Sequence, residues 1–169
     1  MTMSPWHEIG QTLVQEFGDI GDFSHATRIA ARLVIAAFLG RILGVEREFR
    51  GKPAGMRTHM LVAVGAAVFM MVPEHRGVEK ADLTRVIQGV VAGIGFLGAG
   101  AIIKAHEGQE IHGLTTAAGI FSTAAIGVAC GMGSLATATL CTLIAWVILC
   151  LLRPMENRLR RNHHPGPPK

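Results

Sequence analysis

The densest run of chemically capable side chains in this sequence is Glu46, Arg47, Glu48, Arg50, Lys52, Arg57, Thr58 and His59. Glu46 and Arg50 stand four apart, an ion-pair spacing if the chain is helical there. Gly51 and Pro53 then stop that helix. Arg57-Thr58-His59 opens the next apolar segment, and free N–H groups at its start beside Lys52 and Arg57 would attract a phosphate or a lipid headgroup. The competing reading is that these charges only anchor the helix at the headgroups. A second polar pair, Thr115-Thr116, opens a later segment, where hydroxyls suit bonds between helices. Between the two lies Gly93-Ile94-Gly95-Phe96-Leu97-Gly98, which has the G-x-G-x-x-G spacing of a dinucleotide loop. That loop needs a strand before it and an acidic residue about 20 positions on. Here the flanks are apolar and no carboxylate follows until Glu107, so the match is set aside.

Other chemistries find little support. The eight histidines show no H-x-x-x-H or H-E-x-x-H spacing. His59, His106 and His112 share a side of the membrane with Glu46, Glu48, Glu107 and Glu110, and solvated loop positions account for them. Cys130, Cys141 and Cys150 lie in apolar segments without C-x-x-C spacing, as small packing residues do. All twelve Asp and Glu residues lie outside the apolar segments. Neither an enzyme, a metal site nor a cofactor is expected.

The elements that must position these residues are membrane helices. Half of the 169 residues are hydrophobic and only 17% are charged, against about 25% in soluble domains. Val86–Ile103 is central: 18 residues without a charge, five of them glycine. At about 1.5 Å per residue it spans roughly 27 Å, near the hydrocarbon thickness of a bilayer. Its glycines, Gly93, Gly95, Gly98 and Gly100 among them, would let another helix approach closely. A broken or re-entrant segment that exposes carbonyls is the alternative. Further apolar segments cover residues 28–45, 57–72, 114–130 and 135–152. The link at 131–134 is short enough to make the last two antiparallel neighbours. Arg32 and Arg41 lie near opposite ends of the first segment. Arg41 can snorkel to the basic loop, whereas Arg32 either snorkels or meets a partner inside the bundle.

The expected fold is all-α, a polytopic bundle of about five transmembrane helices. With the N-terminus outside and the C-terminus inside, inner regions hold ten Lys and Arg against four outside. The basic clusters therefore read as topology signals, and no nucleic-acid partner is expected. Residues 1–27 form an outer segment, with Ser4 as N-cap, Pro5 at the first helical position and Trp6, Ile9, Leu13 and Phe17 on one face. That helix lies on the membrane surface or docks a partner. Residues 28–152 form the membrane domain, and 153–169 a basic tail ending in a Pro-rich, disordered stub.

Three motifs, in order, resemble the signatures of the MgtC/SapB family of bacterial inner-membrane proteins. They are Gly44–Glu48 with Lys52–Val62, then Gly93–Gly100, then Gly113–Ala118. The resemblance covers about residues 30–150. It implies a multi-pass plasma-membrane protein tied to magnesium limitation, virulence inside macrophages, and control of membrane potential and ATP synthesis. Members are regarded as regulators, and many carry a soluble C-terminal domain; only some 17 residues follow the last apolar segment here. Carried over by motif, Glu46, Arg47, Arg57, Thr58, Thr115 and Thr116 are the positions to test first.

The expectation is thus a regulator or adaptor in the lipid bilayer, a homodimer or other homo-oligomer, with a membrane partner such as ATP synthase or a cation transporter. The alternative is a magnesium or other ion transporter using the glycine-rich helix. Arg57, Gly100 and Thr115 are expected to meet near the inner face.

Overall fold

A computed structural model describes residues 5–16, 22–75, 80–104 and 111–163. The chain divides into two units, Met1–Ala31 and Arg32–Lys169. In the first, helix α1 (Pro5–Glu16) begins at the proline expected to start it. Trp6, Ile9, Leu13 and Val14 are exposed along it. Ser4 and Phe17 lie outside the described residues.

Helix α2 (Phe23–Phe49) is longer at both ends than its apolar segment. At its start the Asp22 carbonyl accepts the Ala26 N–H at 3.0 Å, and the Ser24 hydroxyl donates to the Asp22 carboxylate at 2.8 Å. The Ser24 hydroxyl first, and then the Ser24 backbone N–H, hold the Asp22 carboxyl below its usual range. At the other end Gly51 takes a left-handed φ of 61°. Its N–H reaches the Glu48 carbonyl at 3.0 Å and that of Lys52 the Arg47 carbonyl at 3.1 Å, the paired closure of a glycine-capped helix.

Helix α3 (Met56–His75) lies in the second unit. It keeps Pro73 in its last turns. Its Ala63, Ala66, Ala67 and Met70 are buried. Ala63 and Ala67 share a core cluster with Ala36, Leu39 and Leu43 of α2, and with Ile126 and Cys130 of helix α5 (Leu114–Gly131). Glycine makes both interfaces possible. A β-carbon on Gly40 would lie 2.7 Å from the His59 carbonyl oxygen, and one on Gly44 would lie 2.5 Å from Met56 Cα. On the far side a β-carbon on Gly127 would overlap the Ala63 carbonyl oxygen, and one on Gly131 would lie 2.5 Å from that of Ala67. Backbones touch there, as small-residue packing in membranes permits.

Helix α4 (Lys80–Ala101) is unbroken, so its carbonyls are engaged and the re-entrant alternative does not hold. The G-x-G-x-x-G run lies in a helix interior, with no strand before it among the described residues. Between the two apolar segments α3 runs to His75 and α4 starts at Lys80; positions 76–79 lie outside the described residues. After α4, strands β1 (Ile103–Lys104) and β2 (Ile111–His112) pair antiparallel. β-Branched isoleucines at both positions favour the ribbon. His106, Glu107 and Glu110 lie outside the described residues. Gly113, at φ 97°, passes under the Ala101 carbonyl, where no side chain fits.

Helix α6 (Leu135–His163) follows α5 after three residues. Gly133 caps the turn at φ 77°, with Ser134 N–H on the Ala129 carbonyl at 2.9 Å. Arg32 reaches this turn: its Nη1 donates to the Gly131 carbonyl oxygen at 2.6 Å. A cation at a helix C-terminus meets unsatisfied carbonyls and the negative end of the dipole. That answers the alternative left by the sequence, with a partner inside the bundle. The helix continues beyond residue 152, through the first part of the expected tail, and 164–169 lie outside the described residues.

Among the described residues three helical stretches are long and apolar enough to cross a membrane: Met56–Pro73, Asp82–Ala101 and Leu114–Gly131. Leu135–Leu151 is a shorter apolar stretch. The protein is an all-helical membrane bundle with one small ribbon.

Candidate functional site

The polar residues converge where α2 ends, α3 begins and α5 begins. Because α2 continues past its apolar stretch, it carries Glu46 and Arg47 into buried positions. Arg47 Nη1 lies 3.6 Å from Glu46 Oε2, and the other Glu46 oxygen pairs with Arg50. Arg47 Nη2 donates to Thr116 Oγ1 at 3.2 Å, tying the end of α2 to the start of α5. Charges out of water are costly unless paired, and removing one member of such a set is strongly destabilising. This network ties α2 to α5 at one end of the bundle.

Glu48 is exposed, and its carboxylate accepts the Met56 N–H at 2.8 Å. It therefore occupies the α3 N-terminus, where an outside anion was an option. His59, one turn on, is fully buried. Its Nδ1 lies 3.0 Å from the Gly55 carbonyl oxygen. A carbonyl only accepts, so Nδ1 carries the proton, and Nε2 faces Gly119, where a β-carbon would sit 3.4 Å away. Nε2 has no hydrogen-bond partner among the described residues.

The remaining residues singled out by sequence are placed differently. Arg57, Thr58 and Thr115 are exposed, while their neighbours His59 and Thr116 are buried. One step along a helix turns a side chain by about 100°, enough to separate adjacent residues this way. Thr58 and Gly100 line one cavity of about 350 Å³ with Pro53, Ala54, Phe96, Leu97 and Ile120. Gly98 is buried, with Ala117 Cβ 3.6 Å from where its own β-carbon would be. Gly93, Gly95 and Gly100 meet nothing within 4 Å. Among the described residues no group of three His, Cys, Asp or Glu side chains is arranged to hold a metal.

The glycines that do pack were missed in the sequence. Gly40 and Gly44 are four apart, as are Gly127 and Gly131, and that spacing is itself a signal for close helix contact. Gly119, opposite the His59 ring, had no such signal.

Comparison with known proteins agrees with the three motifs. The model of the MgtC family matches residues 33–158. Protein MgtC of Brucella abortus is 45% identical over 126 residues, covering 75% of this chain and 52% of that protein. An uncharacterized protein of Synechocystis sp. is 41% identical over 134 residues, 79% of this chain and 55% of the relative. Protein MgtC of Salmonella typhimurium is 40% identical over 129 residues, 76% and 54% respectively. The chain spans about half the length of the curated relatives it matches. No solved structure matches it. Motifs, helical membrane bundle and matched region coincide, and the chain belongs to the MgtC family.

Proposed function

We propose that this protein is a membrane regulator that acts by packing α4 against a helix of another membrane protein, in the magnesium-limitation and membrane-energetics setting that the family resemblance implies. The observation that carries this reading is the exposure of α4. Only 6% of Asp82–Ala101 is buried, against 50% of Leu114–Gly131. Gly89 and Gly93, four apart, face open space, and Val91 and Phe96 are exposed. At about 100° per residue, Gly89, Gly93 and Gly100 fall within roughly 40° of one another, a small-residue face open to an incoming backbone. The Glu46–Arg47–Arg50–Thr116 network ties α2 to α5, while α4 presents that face. We further take α2 and α6 as spans beside the other three, giving five with the N-terminus outside, in an inner plasma membrane; the ten-to-four charge count supports this.

Affinity capture from native membranes grown in low magnesium tests the reading. Wild-type chain should recover a defined membrane protein, ATP synthase and cation transporters being the first to look for, and Gly93→Leu should lose it. Recovery of only the chain itself, or equal recovery with the variant, overturns the adaptor role. Magnesium-dye liposomes holding the purified chain should give a flat trace; a flux would favour transport.

A further inference from the structure

We propose that the cavity between the α2–α3 loop, the end of α4 and α5 is a binding site for an anionic phospholipid, one acyl chain in the groove and the phosphate on Lys52 and Arg57. The groove walls are apolar, from Pro53, Ala54, Phe96, Leu97, Ala101 and Ile120, and Thr58 adds a hydroxyl. Gly100 leaves its α4 wall bare, with nothing within 4 Å of a β-carbon there. At about 350 Å³ the cavity is at the low end of small-ligand pockets, which suits one chain of a lipid better than a whole soluble ligand.

The rim supplies the sign of the headgroup. Lys52 and Arg57 adjoin the lining residues Pro53 and Thr58 in the chain, and both are exposed. Neither has an ion-pair partner among the described residues. The nearby carboxylates are engaged elsewhere, Glu46 with Arg47 and Arg50, and Glu48 on the Met56 N–H. Two exposed cations, each next in the chain to a residue that lines the groove, match a phosphate on a hydrocarbon chain, as basic pockets between spans do. A free anion would use the rim but leave the groove empty. The site shares Gly100 with the face offered to a partner, and K52Q/R57Q, which leaves that face intact, separates this inference from the partner reading.

Native mass spectrometry of the purified full chain in detergent, titrated with dioleoylphosphatidylglycerol or dioleoylphosphatidylethanolamine, tests the assignment. The first glycerol lipid should bind on the order of ten-fold more tightly, as two surface cations predict. K52Q/R57Q should make the two lipids equal. Gly100→Leu, which keeps both cations but fills the groove, should weaken both lipids with helicity unchanged by circular dichroism. If the double variant fails to fold, the wild-type preference and Gly100→Leu decide. Equal binding of both lipids to wild type, a preference surviving K52Q/R57Q, or displacement of the lipid by millimolar inorganic phosphate would each overturn it.

Discussion

Two parts of this bundle are rich in glycine and use it in opposite ways. Around α3, the glycines of α2 and α5 sit against backbone: Gly40 and Gly44 on one side, Gly127 and Gly131 on the other. On α4, the glycine-richest helix, Gly89, Gly93, Gly95 and Gly100 face nothing within 4 Å, and Gly98 makes only an ordinary contact. Glycine density therefore does not locate the tightest packing in this protein. What counts is the element opposite, and α3 offers Ala63, Ala66 and Ala67, small enough for two helices to reach its backbone. The closed faces hold the fold together, and the open face is free to meet something else.

The sharpest way to break this comparison is to add bulk to a closed face. Gly127→Leu would drive a side chain into the Ala63 backbone, and overpacking of that kind costs about 3 kcal/mol or more. The expected result is loss of the cooperative unfolding transition in detergent, followed by circular dichroism. A variant that unfolds like wild type would mean that α5 does not pack on α3 as closely as described. Next in size is Arg32→Met, which removes the charged donor from the Gly131 carbonyl at the α5–α6 turn. Hydrogen bonds to charged groups contribute about 1.5–3 kcal/mol, and the same unfolding measurement should lose that much. Arg32→Lys, which keeps a cation at the helix end, should recover part of the loss.

Helix punctuation was readable in the sequence because it is local. Pro5 starts α1, Gly51 ends α2, and the short link before Leu135 makes α5 and α6 neighbours. Glu46, Arg47 and Thr116 were also singled out, through motif resemblance, but their mutual contact needed α2 and α5 in place. Two things were hidden for physical reasons. The acceptor for Arg32 is a backbone carbonyl, which leaves no trace in side-chain identity. Which of Arg57, Thr58 and His59 turns inward depends on the helix phase that the Gly44 contact imposes, and a run of three polar residues does not give it. The Gly40–Gly44 and Gly127–Gly131 spacings were legible all along. The denser glycines of α4 drew attention away from them.

The smallest effect on the fold is expected where the glycines are densest. Gly93→Leu places a side chain into open space, so no neighbour must move. Leucine is also the better helix former, by somewhat under about 1 kcal/mol at a mid-helix site. The unfolding transition of the purified chain should stay within about 1 kcal/mol of wild type, on the stabilising side. Set beside Gly127→Leu, the same substitution on α5, this isolates the cause: identical chemistry destroys one interface and leaves the other element intact. A loss of 2 kcal/mol or more for Gly93→Leu would mean that this face is closed within the single chain, and α4 could not then present it to a partner.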